Sequence, residues 1–221
     1  MARATFDKHL RQLQDDMISL ASMVEKAIDR SIEALKSRDL ALAQQIINDD
    51  VNINLERFKI EQRGIDLIAT QQPMARDLRI IMAILSIISD LERMADHAEG
   101  IAKIVLLIGD EPPLKPLIDV PRMAQKATSM LRCSLTAFIE QDAEAARQIG
   151  KEDDEVDALH EQVYRELLLF MIQDPKTVKR ATYLLWVAHN LERIADRVTN
   201  VCERIVFMVS SKYEDLNVSK Y

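Results

Sequence analysis

Apolar residues recur at intervals of three and four along the first 35 residues of the chain. They form one stripe over about eight turns, comprising Phe6, Leu10, Leu13, Met17, Leu20, Val24, Ile28 and Leu35. Positions three and four apart lie on one side of an α-helix, so this spacing predicts a long helix with one buried face. The helix is expected to break at 37–39, where Ser37 or Asp39 can cap a second helix.

The same periodicity predicts five more helices, at about 40–70, 73–108, 122–140 and 143–173, with the last running from the break at 174–175 to about 212. Pro73 is expected in the first turn of the third helix, where proline is tolerated. Four of the six prolines lie between residues 112 and 121, so 109–121 is predicted to be a linker. The tail, 213–221, is predicted to be frayed or disordered.

The two halves of the chain repeat the same order of elements: helix, helix, a break ending in proline, and a long helix. Pro73 precedes Asp96 by 23 residues, and Pro175 precedes Asp196 by 21 residues. Such an internal repeat indicates a duplicated unit. The predicted fold is therefore all-α, with two tandem elongated three-helix bundles at 1–108 and 122–212.

Composition supports this fold and narrows the function. The chain has 221 residues, of which only four are glycine and 48% are hydrophobic.

Its net charge of −7 is the wrong sign for a nucleic-acid or anionic-membrane partner. Cys133 and Cys202 are isolated, which argues against a disulfide framework or a zinc site and fits a reducing cytoplasm. The longest apolar runs, 80–89 and 181–191, are too short to span a membrane, so a soluble intracellular protein is expected.

One acidic motif appears twice on the predicted long helices, as DLERMADHAEG (90–100) and as NLERIADRVTN (190–200). Glu92 and Asp96 are four residues apart and point the same way, and Glu192 and Asp196 repeat the arrangement. Like charges at this spacing destabilise an isolated helix. Their repetition suggests that something positive lies opposite.

The second helix of each half supplies further oxygen ligands. Asp153 and Asp157 form another acidic pair, and their counterparts in the first half are Asp50 and Asn54. If the second and third helices pack together, each half can present four oxygen-bearing side chains to one place. Such oxygen-rich sites suit Mg²⁺, Mn²⁺, Ca²⁺ or iron, and zinc less well. The alternative is a set of solvated acids neutralised by neighbouring arginines such as Arg93 and Arg193.

No catalytic constellation is visible in the sequence. The enzyme class with some claim is the ferritin-like di-iron proteins, which also bind metal through helix carboxylates. These need Glu-x-x-His on two helices of a four-helix bundle. Here HNLE (189–192) has the reverse order and no counterpart in the first half, so this is the lesser alternative.

Two long stretches carry a resemblance to a known family, namely QQPMARDLRIIMAILSIISDLERMADHAEGIAK (71–103) and DPKTVKRATYLLWVAHNLERIADRVTNVCE (174–203). With these the chain resembles the PhoU family of accessory and regulatory proteins of bacterial and archaeal phosphate uptake. The resemblance covers nearly the whole chain. It implies two tandem three-helix bundles, usually dimeric, in the cytoplasm, and a non-enzymatic role in restraining phosphate uptake and the phosphate-starvation response.

The resemblance also implies partners and site residues. Family members act through the ATPase subunit of the phosphate transporter and a membrane sensor histidine kinase, which can bring them to the membrane indirectly. The acidic motifs are associated with metal ions, including multinuclear iron or zinc clusters. These motifs map to Glu92 and Asp96, to Glu192 and Asp196, and to the pair Asp153 and Asp157. They map less securely to Asp50 and Asn54, where an amide replaces a carboxylate and fewer or weaker metals are expected.

Three hypotheses therefore stand at this point. The first is a phosphate-signalling adaptor whose acidic patches bind metal ions (iron, zinc, manganese or magnesium) and help to dock partners. The second is a ferritin-like metal oxidoreductase or iron-handling protein. The third is a purely structural helical scaffold.

Overall fold

The protein is described by a computed structural model that covers residues 2–216. Within that range it contains α-helices and one 3₁₀ turn but no strand. The helices are α1 (Ala2–Ser37), α2 (Leu40–Gln71), α3 (Arg76–Ile108), α4 (Asp119–Glu140), α5 (Ala143–Lys151), α6 (Asp153–Gln173) and α7 (Val178–Ser210), and the 3₁₀ turn is Pro175–Thr177.

The helices form two bundles that share one core. α1, α2 and α3 pack on one another, α4 to α7 form the second bundle, and α3 and α7 pack against each other along their length. With 33 residues each, α3 and α7 are about 50 Å long. The predicted all-α fold with two repeats of a three-helix unit is confirmed, with the middle helix of the second unit split in two.

Matching turns begin the second helix of each bundle. Arg38 and Gln141 adopt left-handed backbone conformations, with φ values of 57° and 56°. The next residue in each turn is an aspartate that caps the following helix. Asp39 accepts a hydrogen bond from the Leu42 amide at 2.8 Å, and Asp142 accepts from the Glu144 and Ala145 amides at 2.9 Å. Asp39 is therefore the cap at the first turn, whereas Ser37 ends α1 and donates to the Glu33 carbonyl.

The second bundle departs from the predicted pattern at residue 152. The single helix predicted over 143–173 is two helices, α5 and α6, separated by a one-residue break at Glu152, which we call the bend. Lys126 of α4 holds the bend, because its Nζ lies 2.8 Å from Glu152 Oε2 and 2.9 Å from Glu155 Oε2. α2 runs without interruption through the equivalent place in the first bundle.

The proline-containing segments also differ from the prediction. α4 begins at Asp119, inside the segment predicted to be linker, because Pro121 falls in the first turn, where no backbone N–H is needed. Pro73 does not open α3; it lies three residues before the helix, which begins at Arg76.

The end of the chain is more ordered than the sequence suggested. α7 ends at Ser210 rather than at 212. Residues 213–216, predicted to be frayed, pack back on the second bundle. The rest of the predicted tail, 217–221, lies outside the described residues.

The apolar runs predicted as core lie in α3 and α7, where most of their aliphatic side chains are buried. Of the helices described, none combines the length and the apolar character needed to cross a membrane.

We expect the cap at Asp142 to matter to the stability of the second bundle. Asp142→Ala leaves two amides at the start of α5 without their acceptor and should lower the free energy of unfolding by about 1 kcal/mol. Asp39→Ala, which removes one such bond, is the matched first-half variant and should cost no more. Denaturant unfolding followed by circular dichroism measures both, and an Asp142→Ala protein as stable as the wild type would contradict the assignment.

Candidate acidic site and family

The second bundle brings together the four acids predicted on its helices. Asp153 and Asp157 lie one turn apart on α6, and Glu192 and Asp196 lie one turn apart on α7. The short 3₁₀ turn makes α6 and α7 antiparallel neighbours, so the two pairs lie close together along the line where these helices meet, which we call the groove. We call these four residues the second acidic cluster.

Burial and mutual repulsion raise the proton affinity of this cluster. Burial and, after it, the neighbouring carboxylates led by Asp157 and Asp196 together raise the pKa of Asp153 to about 7. Burial also raises the pKa of Glu192 to about 7, aided by Asp196 and opposed by Arg193. Burial is therefore the main reason that these two carboxyl groups keep their protons to a higher pH than usual, with like-charge repulsion second.

Arg193 and two histidines line the second acidic cluster. Arg193 Nη1 lies 2.6 Å from Asp196 Oδ2, and His189 Nδ1 lies 3.3 Å from Glu192 Oε2. His160 lies one turn after Asp157 on α6, and the centroid of its ring is 6.4 Å from that of the His189 ring. Burial lowers the pKa of His160, and His189 lowers it further. The imidazole of His160 is therefore neutral near neutral pH. It can offer a ring nitrogen to a metal ion, but it adds no positive charge to the cluster.

The first bundle has a weaker version of the same arrangement. Asn54 Nδ2 donates to Asp50 Oδ2 at 2.8 Å, so the amide serves as a partner for the acid. Burial raises the pKa of Asp50, and Glu99 and Asp96 raise it further, which places the acids of α2 and α3 close together. We call Asp50, Asn54, Glu92 and Asp96 the first cluster.

Internal cations bind the acids of the first cluster. Arg57 Nε lies 3.4 Å from Glu92 Oε2, while its Nη1 lies 2.8 Å from Glu61 Oε2. Arg93 Nη1 lies 3.2 Å from Asp96 Oδ2. By its offset from Asp50, Arg57 holds the position that His160 holds in the second bundle. The first cluster thus has an arginine where the second cluster has a histidine.

The donor chemistry of the second cluster fits a divalent cation. Its four carboxylates are the hard oxygen ligands that Mg²⁺, Mn²⁺, Ca²⁺ and iron accept. Within residues 2–216, no three Asp, Glu, His or Cys side chains already converge on one metal position. Side-chain rotation, including release of Asp196 by Arg193, would therefore have to accompany binding. The first cluster fits less well, because Arg57 competes for Glu92.

The polar contacts that link the two bundles were not predicted from the sequence. Asp90 Oδ1 of α3 accepts from Asn200 Nδ2 of α7 at 3.1 Å and from Arg197 Nη1 at 3.4 Å. Burial raises the pKa of Asp90, whereas Asn200 and Arg197 lower it. The sequence nevertheless marks this contact, because the two motif copies differ at the positions of Asp90, Arg197 and Asn200.

The repeat-related contact on the other side of the α3–α7 interface carries no ion pair. His97 Nδ1 lies 2.9 Å from Asn190 Oδ1, where Asn190 and His97 take the places of Asp90 and Arg197. Gly100 takes the place of Asn200, and a Cβ there would lie 3.1 Å from Asn190 Oδ1. Glycine therefore makes room for the amide.

The duplication seen in the fold is also seen by comparison with known families. A model of the PhoU domain matches residues 17–105 and matches again over residues 120–205. The chain belongs to the PhoU family. The resemblance read from the repeated motifs is thereby confirmed.

Individual PhoU proteins align along most of this chain. It is 42% identical over 186 residues to the phosphate-specific transport system accessory protein PhoU homolog of Aquifex aeolicus, covering 84% of each chain. It is 38% identical over 218 residues to that of Clostridium acetobutylicum, covering 98% of this chain and all of the relative.

Crystal structures of two PhoU proteins share the fold. The phosphate transport system regulatory protein PhoU from Streptococcus pneumoniae superposes with a TM-score of 0.88 at 32% identity, over 95% of this chain and 99% of that one. PhoU from Pseudomonas aeruginosa superposes with a TM-score of 0.89 at 29% identity, over 94% and 100%. Neither these PhoU relatives nor the three-helix repeat supports the ferritin-like alternative.

The raised pKa values of the second acidic cluster predict a pH-dependent stability in the presence of chelator. The pKa of Asp153 rises from 3.8 to about 7 and that of Glu192 from 4.5 to about 7. The folded state thus holds protons that the unfolded state releases, and the free energy of unfolding should fall as pH rises through that interval. In Asp153→Asn/Glu192→Gln this fall should be reduced, so the variant gains on the wild type toward pH 8.

Chemical unfolding between about pH 5 and 8 measures the difference in stability between the variant and the wild type. Glu140→Gln removes an exposed carboxylate at the end of α4 and serves as the control, which should follow the wild type at every pH. A difference between the double variant and the wild type that stays constant with pH would contradict the raised pKa values.

Proposed function

We propose that this protein is an accessory regulator of phosphate uptake that also restrains the phosphate-starvation response. The observation that carries the proposal is the match of one PhoU domain to each bundle. Relatives that align over most of the chain are named accessory proteins of a phosphate-specific transport system. Family membership speaks to fold directly and to function by analogy, so the acidic clusters supply the physical part of the argument.

The proposed role is that of a non-enzymatic adaptor in the cytoplasm. Its partners are the ATPase subunit of the phosphate transporter and a membrane sensor histidine kinase, which would bring the protein to the membrane indirectly, and it works as a homodimer. Long helices packed on one core give a stiff body with two similar acidic grooves. Such a body can present two related surfaces to two partners.

The second acidic cluster is the proposed metal site. Asp153, Asp157, Glu192 and Asp196 would hold one or more divalent cations or iron, and His160 lies near enough to join them. A bound cation supplies the positive charge that relieves carboxylate repulsion in the groove. The first cluster, with Arg57 bound to Glu92, would bind metal more weakly.

Metal content distinguishes the two clusters. Protein purified without a metal-affinity tag or chelator should contain stoichiometric metal by elemental analysis, since four carboxylates face one groove. Glu192→Gln/Asp196→Asn should lose most of this metal while its helical circular dichroism persists. The matched variant Glu92→Gln/Asp96→Asn should keep the greater part, because the first cluster has Arg57 beside Glu92 and an amide, Asn54, in place of one carboxylate.

Equal metal loss from the two matched variants would contradict the inequality between the clusters. Metal-free wild-type protein that also fails to bind added Mn²⁺ or Fe²⁺ would refute the metal site and leave the grooves as docking surfaces. If neutralising all four motif acids also left partner binding unchanged, the scaffold hypothesis would replace the adaptor.

The regulatory role is tested in cells. Deleting the gene should raise phosphatase expression in phosphate-rich medium, because the phosphate-starvation response would no longer be restrained. Restoring the wild-type gene should reverse the rise, and Glu192→Gln/Asp196→Asn should reverse it less completely than Glu92→Gln/Asp96→Asn. Unchanged phosphatase expression in the deletion strain would count against the proposed regulation.

A further inference from the structure

Residues 213–216 form a strap that ties α5 to the end of α7, and we call them the C-terminal strap. Tyr213 stacks on Phe207 with ring centroids 4.2 Å apart and an interplanar angle of 16°. Glu214 accepts two hydrogen bonds of 2.8 Å from Arg147 of α5. The Leu216 amide donates to Glu203 Oε1 of α7 at 3.0 Å. The strap thus contacts both helices through aromatic, ionic and hydrogen-bonding groups.

The repeat explains why the second bundle needs the strap. Gly150 of α5 holds the position of Ile47 on α2, and the Ile47 side chain packs against the core of the first bundle. In the second bundle that place is filled by Leu216, because a Cβ on Gly150 would lie 3.1 Å from Leu216 Cδ1. The strap therefore supplies an apolar side chain that the second repeat has lost from its own helix.

α5 packs against α4 and α7 and takes additional contacts from the strap. It has nine residues, and helices shorter than about 12 residues are marginal in water without tertiary packing. Its C-terminal end leads through the bend at Glu152 directly into Asp153, the first residue of α6. Asp153 is 4% exposed and lies one residue after the bend, so a shift of α5 would act directly on its position.

We propose that the C-terminal strap positions the second acidic cluster. Docked on α5 at Arg147 and Gly150, the strap acts together with Lys126 at Glu152 to keep Asp153 buried against Glu192 and Asp196. Released, the strap leaves α5 loosely packed, and Asp153 turns away from the other acids. The residues that act in this way are Glu214 and Leu216, which are positioning residues that act through Arg147 and Gly150 of α5. The inference rests on the proposed function in one respect, that the cluster binds metal.

Swapping the charges of Arg147 on α5 and Glu214 on the strap tests the proposal. Glu214→Arg places two arginines together and should release the strap, while Arg147→Glu/Glu214→Arg should restore an ion pair of reversed polarity. In the single variant we expect faster hydrogen exchange at amides 143–157 and Mn²⁺ affinity reduced by about tenfold, the size typical of lost support to metal ligands. Both effects should be reversed in the double variant. Leu216→Asp removes the apolar side chain that packs on Gly150 and should have the same effects as Glu214→Arg.

Amides 40–54 of α2 are the internal reference, since their helix is continuous and has no strap. Unchanged exchange at 143–157 in both single variants would show that the strap does not hold α5 and would overturn the proposal. Faster exchange with unchanged Mn²⁺ affinity would overturn its second step, the positioning of the cluster. If the wild type binds no Mn²⁺, the metal site fails on its own; exchange at amides 153–157, which needs no metal, then supports or overturns the strap's role.

Discussion

The packing of α3 against α7 is the constraint on which the rest of the structure depends. Leu91 and Leu191, at equivalent places in the two motif copies, are fully buried. The next residue on a helix is turned by about 100°, so Glu92 and Glu192 emerge at the edge of the core. Burying the interface between the bundles therefore also directs each acidic pair toward the groove beside its own second helix.

Both halves place their acids in this way, but they differ in what offsets the electrostatic repulsion between those acids. Gathering carboxylates at the edge of a core is unfavourable unless positive charge or protons compensate. In the first half Arg57 and the amide of Asn54 compensate from within the chain. In the second half the equivalent places hold His160 and Asp157, Arg193 pairs with Asp196, and the pKa values of Asp153 and Glu192 rise to about 7. That half can lower its energy by taking up protons or a cation.

The helices, their repeat and the pairing of acids were all predictable, because they depend on spacing within single helices. Apolar spacing located each long helix, and the match between Asp153 and Asp50 placed the second pair of acids. The bend at Glu152, the strap contact at Gly150 and the role of Arg57 were not predictable in that way. Each depends on which side chains meet between elements distant in sequence, and one sequence gives no direct measure of such contacts.

Those contacts are nevertheless marked in the sequence as differences between the two repeats. Gly150, in place of Ile47, goes with the side chain of Leu216 packed on it, and Gly100, in place of Asn200, goes with the amide of Asn190, which needs the space. A duplicated protein is free to differ between copies at solvent-exposed positions, but a change at a packed position has to be matched by another nearby. Differences at such positions therefore identify where each half has acquired its own contacts, and in the second half several of them lie around the acidic cluster.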